Sequence, residues 1–217
     1  MVRIKICCIS CVEEAKLAIA GGAHALGLVS HMPSGPGVID EALISEIAAA
    51  VPLPIATFLL TSHVDPAAII DQQRRCQTNT LQLVDALPQG SHAKLRKALP
   101  GIGLVQVVHV RDETSIDEAC DVAPAVDAIL LDSGNPDLAT KELGGTGRMH
   151  NWDISRRIVE AVAVPVFLAG GLNPGNVRAA LAAVRPFGVD ICSGLRTNDS
   201  LDDRKLADFV RVVWQAS

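Results

Sequence analysis

Residues 164–184, "VPVFLAGGLNPGNVRAALAAV", decide the fold class. The stretch begins with "VPVFLAG", a short apolar run of the kind a parallel strand buried on both faces requires. Gly170 and Gly171 end it, and Asn173 before Pro174 puts an N-cap residue ahead of proline, which fits the first helical position. Apolar residues then recur at helical spacing, so the stretch predicts strand, tight turn and helix in that order.

The same unit recurs on both sides. Short apolar runs stand at "VRIKICC", "AHALGLV", "LPIATFLL", "NTLQLV", "GLVQVVHV", "VDAILLD", "VPVFLAG" and "FGVDICSG". Helix-patterned stretches such as "EALISEIAAAV", "DPAAIIDQQRR", "DISRRIVEAVA" and "DDRKLADFVRVV" lie between or after them, and Asp65-Pro66 repeats the start signal. Eight strand-helix units of about 27 residues each predict a closed (β/α)8 TIM barrel, one domain over residues 1–217. An open doubly wound sheet is the competing reading. It would leave units unused, and no G-x-G-x-x-G follows the first strand.

Composition narrows the function. Apolar residues make up 49% of the chain and aromatics only 3%, so the core is built from Ala, Val, Ile and Leu. A formal charge of -5 without a Lys/Arg cluster argues against a nucleic-acid or anionic-membrane surface, which leaves a small soluble ligand. Early charges and the lack of a long apolar run within residues 1–25 set the expectation of a cytoplasmic protein, monomer or homodimer. The six cysteines are expected as free thiols. Cys8-Ile9-Ser10-Cys11 spells C-x-x-C, but without a second pair it is weak ground for a metal, and none is expected.

In a barrel the chemistry belongs on the loops after the strands. After strand seven, Gly170, Gly171 and Asn173 offer backbone donors to an anion at a helix start, and after strand eight Ser193 and Gly194 offer more. Either loop alone reads equally well as a tight turn. Both together, at the strands that usually cradle phosphate, point to a sugar phosphate. On strand one, alternation puts Lys5 and Cys7 inward and Cys8 toward the helix layer. Asp132 closes strand six after four apolar residues. A thiol near a cation and a carboxylate at one mouth can serve as base and acid, although a cysteine so placed is commonly a small buried residue.

Taken together, "KICCIS", "GGAHALGLV", "LQLV", "LLDSG", "LGGTGRMHNWDI", "PVFLAGGLNPGNV" and "GVDICSGL" resemble, in order and over nearly the whole chain, the signatures of the phosphoribosylanthranilate isomerase family. The resemblance implies a TIM barrel running an Amadori rearrangement with no metal or organic cofactor, within tryptophan biosynthesis. It implies Cys7 as the base and Asp132 as the acid. Further substrate contacts are expected from Lys5, Gln82, Gly145, Thr146, Arg196 and His31.

The chain departs from that family on one side. Cys8 replaces a glycine, and Pro36 stands where an arginine usually meets the anthranilate carboxylate. "QLVD" stands for "QLHG", His150-Asn151-Trp152 for "FDW", and "SGLR" for "SGVE". Phosphate loops and acid/base pair are kept while the aglycone side changes. Three readings follow: the isomerase itself, a sister isomerase on another phosphoribosyl amine, or a non-catalytic sugar-phosphate binder. A Schiff-base aldolase using Lys5 is a remote fourth, and Arg196, Arg148 and His31 are candidates to replace the missing cation.

Overall fold

Eight parallel strands pair in chain order and the eighth closes on the first. The computed structural model describes residues 1–145 and 147–216. The strands are β1 (Arg3–Ile6), β2 (Ala25–Val29), β3 (Ala56–Thr61), β4 (Thr80–Leu83), β5 (Gly103–His109), β6 (Ala128–Asp132), β7 (Val166–Leu168) and β8 (Gly188–Ile191). Between and after them run α1 (Val12–Ala20), α2 (Glu41–Ala50), α3 (Pro66–Cys76), α4 (Ser91–Ala98), α5 (Thr114–Val122), α6 (Trp152–Ala161), α7 (Val177–Val184) and α8 (Asp203–Ala216). All eight runs read as strands are strands, so the barrel expectation holds.

Strand alternation sorts the side chains into two cores. Ile4, Ile6, Leu26, Leu28, Leu59 and Val189 point outward into one apolar layer beneath the helices. Ala25, Phe58, Leu60, Val105, Val107, Leu130 and Phe167 fill the barrel, with Phe58 and Phe167 edge to face at 6.1 Å between centroids. Both layers are thus continuous packed cores, as a strand buried on two faces demands.

The interior also explains a glycine. Register places Lys5 beside Ala25 on β2 and Asp190 on β8. A Cβ on Gly27 would lie 2.7 Å from Cys7 Sγ and 3.0 Å from Lys5 Nζ, so both functional candidates occupy the volume that Gly27 leaves.

Two local expectations are corrected. Cys8 does not enter the helix layer: it packs with the inner residues, and Ile9 takes the outward place. Pairing of β1 with its neighbours ends at Ile6, and Cys8 has φ +62, which turns it back toward the mouth. The second correction is at α7, which starts at Val177 rather than at Asn173-Pro174. Asn173 Oδ1 accepts from Gly175 N at 2.8 Å and Asn176 Oδ1 accepts from Asn173 N at 2.8 Å, folding 173–176 into a turn first. At α3 the same signal works as expected, with Asp65 Oδ2 accepting from Ala68 N at 3.2 Å.

Candidate active site

The strand tips open onto a cavity of about 690 Å3, counted to its open side. Cys7 rises into it from β1 and Asp132 from β6, with Gln82 of β4 and Asp190 of β8 between them. Gly170, Gly171 and Ser193 form another part of the wall. Over the top come the loop after β2, through Ser34, Gly35 and Pro36, and the loop after β6, through Leu143, Gly144, Gly145 and Gly147.

Asp132 is set up to hold a proton. Burial pushes its carboxyl up from the usual carboxylate range, and Asp190 adds to this, while the Ser133 amide, His109 and Lys5 oppose it without cancelling it. Ser133 N donates to Oδ1 at 2.7 Å. Oδ2 faces Gly144, where a Cβ would come within 2.7 Å of it. His109 pairs in register with Asp132, and its Nε2 lies 3.0 Å from Val84 O. It is a buried support beneath the mouth and does not line the cavity.

Lys5 is wholly buried, 2.8 Å from Asp190 Oδ2 and 5.2 Å from the centre of the Phe58 ring. Burial works against its charge, but the Asp190 carboxylate outweighs this and holds the ammonium above its ordinary range. A lysine held so firmly protonated is a fixed positive charge beside Cys7 and a poor amine nucleophile. The Schiff-base reading of Lys5 loses its chemical basis here.

The loops after β7 and β8 stack into one cradle. A Cβ on Gly194 would come 2.1 Å from Leu172 O, so only glycine lets the second loop lie against the first. Gly170 and Gly171 adopt φ +82 and +62, and the backbone of Gly147 and Arg148 rests on Gly171. Gly194 and Asn173 do not line the cavity; they hold the residues that do. Asn173 is fixed by its own turn, and Asn176 Nδ2 donates to Gly171 O at 2.9 Å. Ser193 opens a short 3-10 turn over Ser193–Leu195, with its backbone start at the cavity.

Other candidates lie elsewhere. Arg196 binds Glu14 through two bonds of 3.0 and 3.2 Å and donates to the carbonyl of Cys8, outside the cavity lining. His31 is exposed, with its carbonyl accepting from Ser62 Oγ at 2.7 Å. Arg148 bridges to Glu142 on the exposed face of the β6 loop. Thr146 lies outside the described residues. Gly145 and Gln82 do line the cavity, and Gln82 Oε1 is buried there without a hydrogen-bond partner.

Sequence reasoning passed over Asp190 and Cys192. Asp190 is the only described acid inside β8, and an acid in the apolar run "FGVDICSG" was the available signal. Its meaning depends on Lys5, which lies 185 positions away and meets it only through the closure of β8 on β1.

A family model described as N-(5'phosphoribosyl)anthranilate (PRA) isomerase matches residues 4–212. The N-(5'-phosphoribosyl)anthranilate isomerase of Methanocella arvoryzae is 32% identical over 98% of this chain and 98% of its own. A second such enzyme, from Methanosarcina mazei, is 38% identical over 96% of this chain and 92% of its own. Among solved structures, phosphoribosyl anthranilate isomerase from Thermotoga maritima superposes with a TM-score of 0.85 at 28% identity, covering 99% of this chain and 100% of that one. Another, holding reduced 1-(o-carboxyphenylamino)-1-deoxyribulose 5-phosphate, gives 0.82 at 26% identity over 99% and 100%.

Proposed function

This chain belongs to the N-(5'-phosphoribosyl)anthranilate isomerase family, and from that premise we propose how its residues divide the work. The enzyme is an aldose-ketose isomerase of tryptophan biosynthesis, converting N-(5'-phosphoribosyl)anthranilate to the 1-deoxyribulose 5-phosphate product. One observation carries the assignment of roles: Cys7 and Asp132, from strands three positions apart round the closed barrel, face one cavity whose wall also holds the paired glycines.

The reaction needs an acid at the ribose ring oxygen and a base at C2. Both atoms are bonded to C1, so one bound sugar can present them to two groups on one mouth. Asp132, kept protonated by burial, gives its proton to the ring oxygen; the C1–O bond opens and leaves a Schiff base. Cys7, beside the Lys5 ammonium, then takes the C2 proton, and the enolamine tautomerises to the ketose. The backbone of Gly170, Gly171 and Ser193 receives the phosphate, which fixes the ring against both groups.

The aglycone side supports a second reading, a sister isomerase on another phosphoribosyl amine, because of Pro36. Among the described residues lining the cavity there is no Arg or Lys, so the anthranilate carboxylate meets no guanidinium from the loop after β2. Purified protein given phosphoribosylanthranilate separates the readings. The expected result is turnover that falls by about 10²–10⁴-fold in Cys7→Ala and Asp132→Asn, the usual weight of a general acid or base. Wild-type rates no faster than buffer would overturn the first reading and leave the second. A small soluble sugar phosphate as partner and a cytoplasmic setting fit either one, and among the described residues no helix is long and apolar enough to cross a membrane.

A further inference from the structure

The mouth holds three thiols where the isomerisation uses one. Cys7, Cys8 and Cys192 all line the cavity. Strand closure brings them together: β1 and β8 are in register up to Ile6 and Ile191, and Cys7 N donates to Ile191 O at 2.8 Å, so the two chain segments leave the barrel side by side. Cys7 Sγ packs against Gly27 of β2, whereas Cys192 follows β8 on the other side of β1. Cys8 shares the cavity wall with both; its Sγ donates to Pro36 O at 3.8 Å, and the Cys192 and Cys7 thiols are its electrostatic neighbours.

Cys8 is held there at a cost. Its φ of +62 is a conformation glycine adopts freely and an L side chain does not, and the family pattern has glycine at this place. The backbone is clamped in that turn. Arg196 donates to the Cys8 carbonyl, and Gly37 approaches so closely that a Cβ on it would lie 2.4 Å from Cys8 Cβ. The clamp leaves the sulfur facing into the mouth.

We propose that Cys8 and Cys192 form an oxidation site that takes a hydroperoxide and closes to a disulfide, reversibly shutting the mouth of the barrel. The two thiols have distinct parts. The neighbouring Cys8 thiol and the Arg196 cation hold the Cys192 thiol below the ordinary range against the push of burial, while Cys192, Cys7 and burial hold the Cys8 thiol above it. Cys192 is therefore the attacking sulfur. Its S–O bond forms as the peroxide O–O bond breaks, giving a sulfenic acid and an alkoxide or hydroxide that takes the Cys8 proton. The Cys8 thiolate then attacks the Cys192 sulfur; the S–S bond forms, the S–O bond breaks, and the departing hydroxide picks up the proton that Cys192 first gave to solvent. Two thiols lose two electrons and two protons, and the peroxide becomes water plus an alcohol, or two waters from hydrogen peroxide. The bond draws the segment carrying Cys7 onto the segment carrying Ser193, where base and phosphate loop must keep their spacing. In a reducing compartment such a bond is transient, which suits a switch.

The test uses the full chain with hydrogen peroxide as oxidant and dithiothreitol as reductant. After oxidation the chain should lose two of its six thiols and the mass of two hydrogens, with fragmentation placing the link between Cys8 and Cys192. Isomerase rate should fall by roughly a hundredfold, the scale of displacing a reacting group by about 1 Å, and return with dithiothreitol. Each variant is compared with its own reduced form: Cys8→Gly and Cys192→Ser should form no link and keep their reduced rates through the same treatment. A link that maps to Cys7, a link without reversible loss of rate, or equal inactivation of Cys192→Ser overturns the proposal. Thiol count and mass need no substrate, so a chain without turnover would count against the isomerase reading and leave the disulfide to stand or fall on mass.

Discussion

The Lys5–Asp190 pair is buried at both ends, and Asp190 Oδ1 has no partner of its own. Asp190→Asn leaves an ammonium in a sealed interior and is expected to cost about 3–5 kcal/mol, read from denaturant midpoints. Lys5→Met with Asp190→Leu removes both charges and should recover most of that loss while abolishing turnover, which separates stability from chemistry. Asp132 carries the opposite sign. Because burial raises its pKa in the folded chain, folding is favoured most below the ordinary carboxylate range and loses support as pH rises through the raised value. Asp132→Asn should therefore melt above the wild type at pH 7 and show no such gain in acid, even as it loses activity. Cys7 and Asp132 were legible because period-two alternation runs to the strand tips. Cys8 was misread because alternation fails two residues past the last paired position, where the backbone turns to φ +62.

At the scale of elements, the loop after β6, residues 133–151, is long for a barrel connection, and such length is usually functional. It folds back across the mouth. Asn135 bridges Glu142, Ser34 Oγ donates to Lys141 O at 2.7 Å, and Lys141 also pairs with Asp85 after β4. Sequence showed that "GGTG" mattered but not that these contacts tie loops two, four and six into one lid, since each joins residues far apart in the chain. A Cβ on Gly145 would lie 2.7 Å from Pro36 Cδ, so position 36 sits at the seam of that lid. Pro36→Arg should lower KM for phosphoribosylanthranilate by roughly tenfold, the worth of a charge-assisted bond of about 1.5 kcal/mol to its carboxylate, with kcat little changed. An unchanged KM would show that loop two does not set this preference.

For the whole molecule, the eight-unit pattern settled the architecture because a barrel is a repeat, and each repeat announces itself by period. What the pattern could not show is how the ring is locked after closure. That lock is Glu14 at the start of α1, which the sequence presents as an ordinary surface acid of a first helical turn. Its Oε1 accepts from Leu201 N at 2.9 Å and Arg196 at 3.0 Å, and its Oε2 accepts from Ser10 N at 3.0 Å. One carboxylate thus joins the loop after β1 to the short hairpin, Arg196–Thr197 with Ser200–Leu201, that follows β8. Arg196 was expected at the ligand because its charge was visible and its partner, 182 positions earlier, was not. Burial pushes Glu14 up, but the bonds from Arg196, Leu201 and Ser10 prevail and hold its carboxyl below the ordinary range. Its contribution is then fully present above the unfolded value of about 4.3 and is lost as pH falls through the lower folded value. Glu14→Gln should cost about 1.5–2 kcal/mol at pH 7, the scale of charge-assisted hydrogen bonds at a partly buried site, and the difference from wild type should shrink as pH falls below about 4. Urea titrations of both chains at the two pH values measure it. If the seam between first and last strands is the lock of one cooperative unit, both chains still unfold in a single transition; a separate early transition in Glu14→Gln would mean that the β1–β8 seam opens on its own.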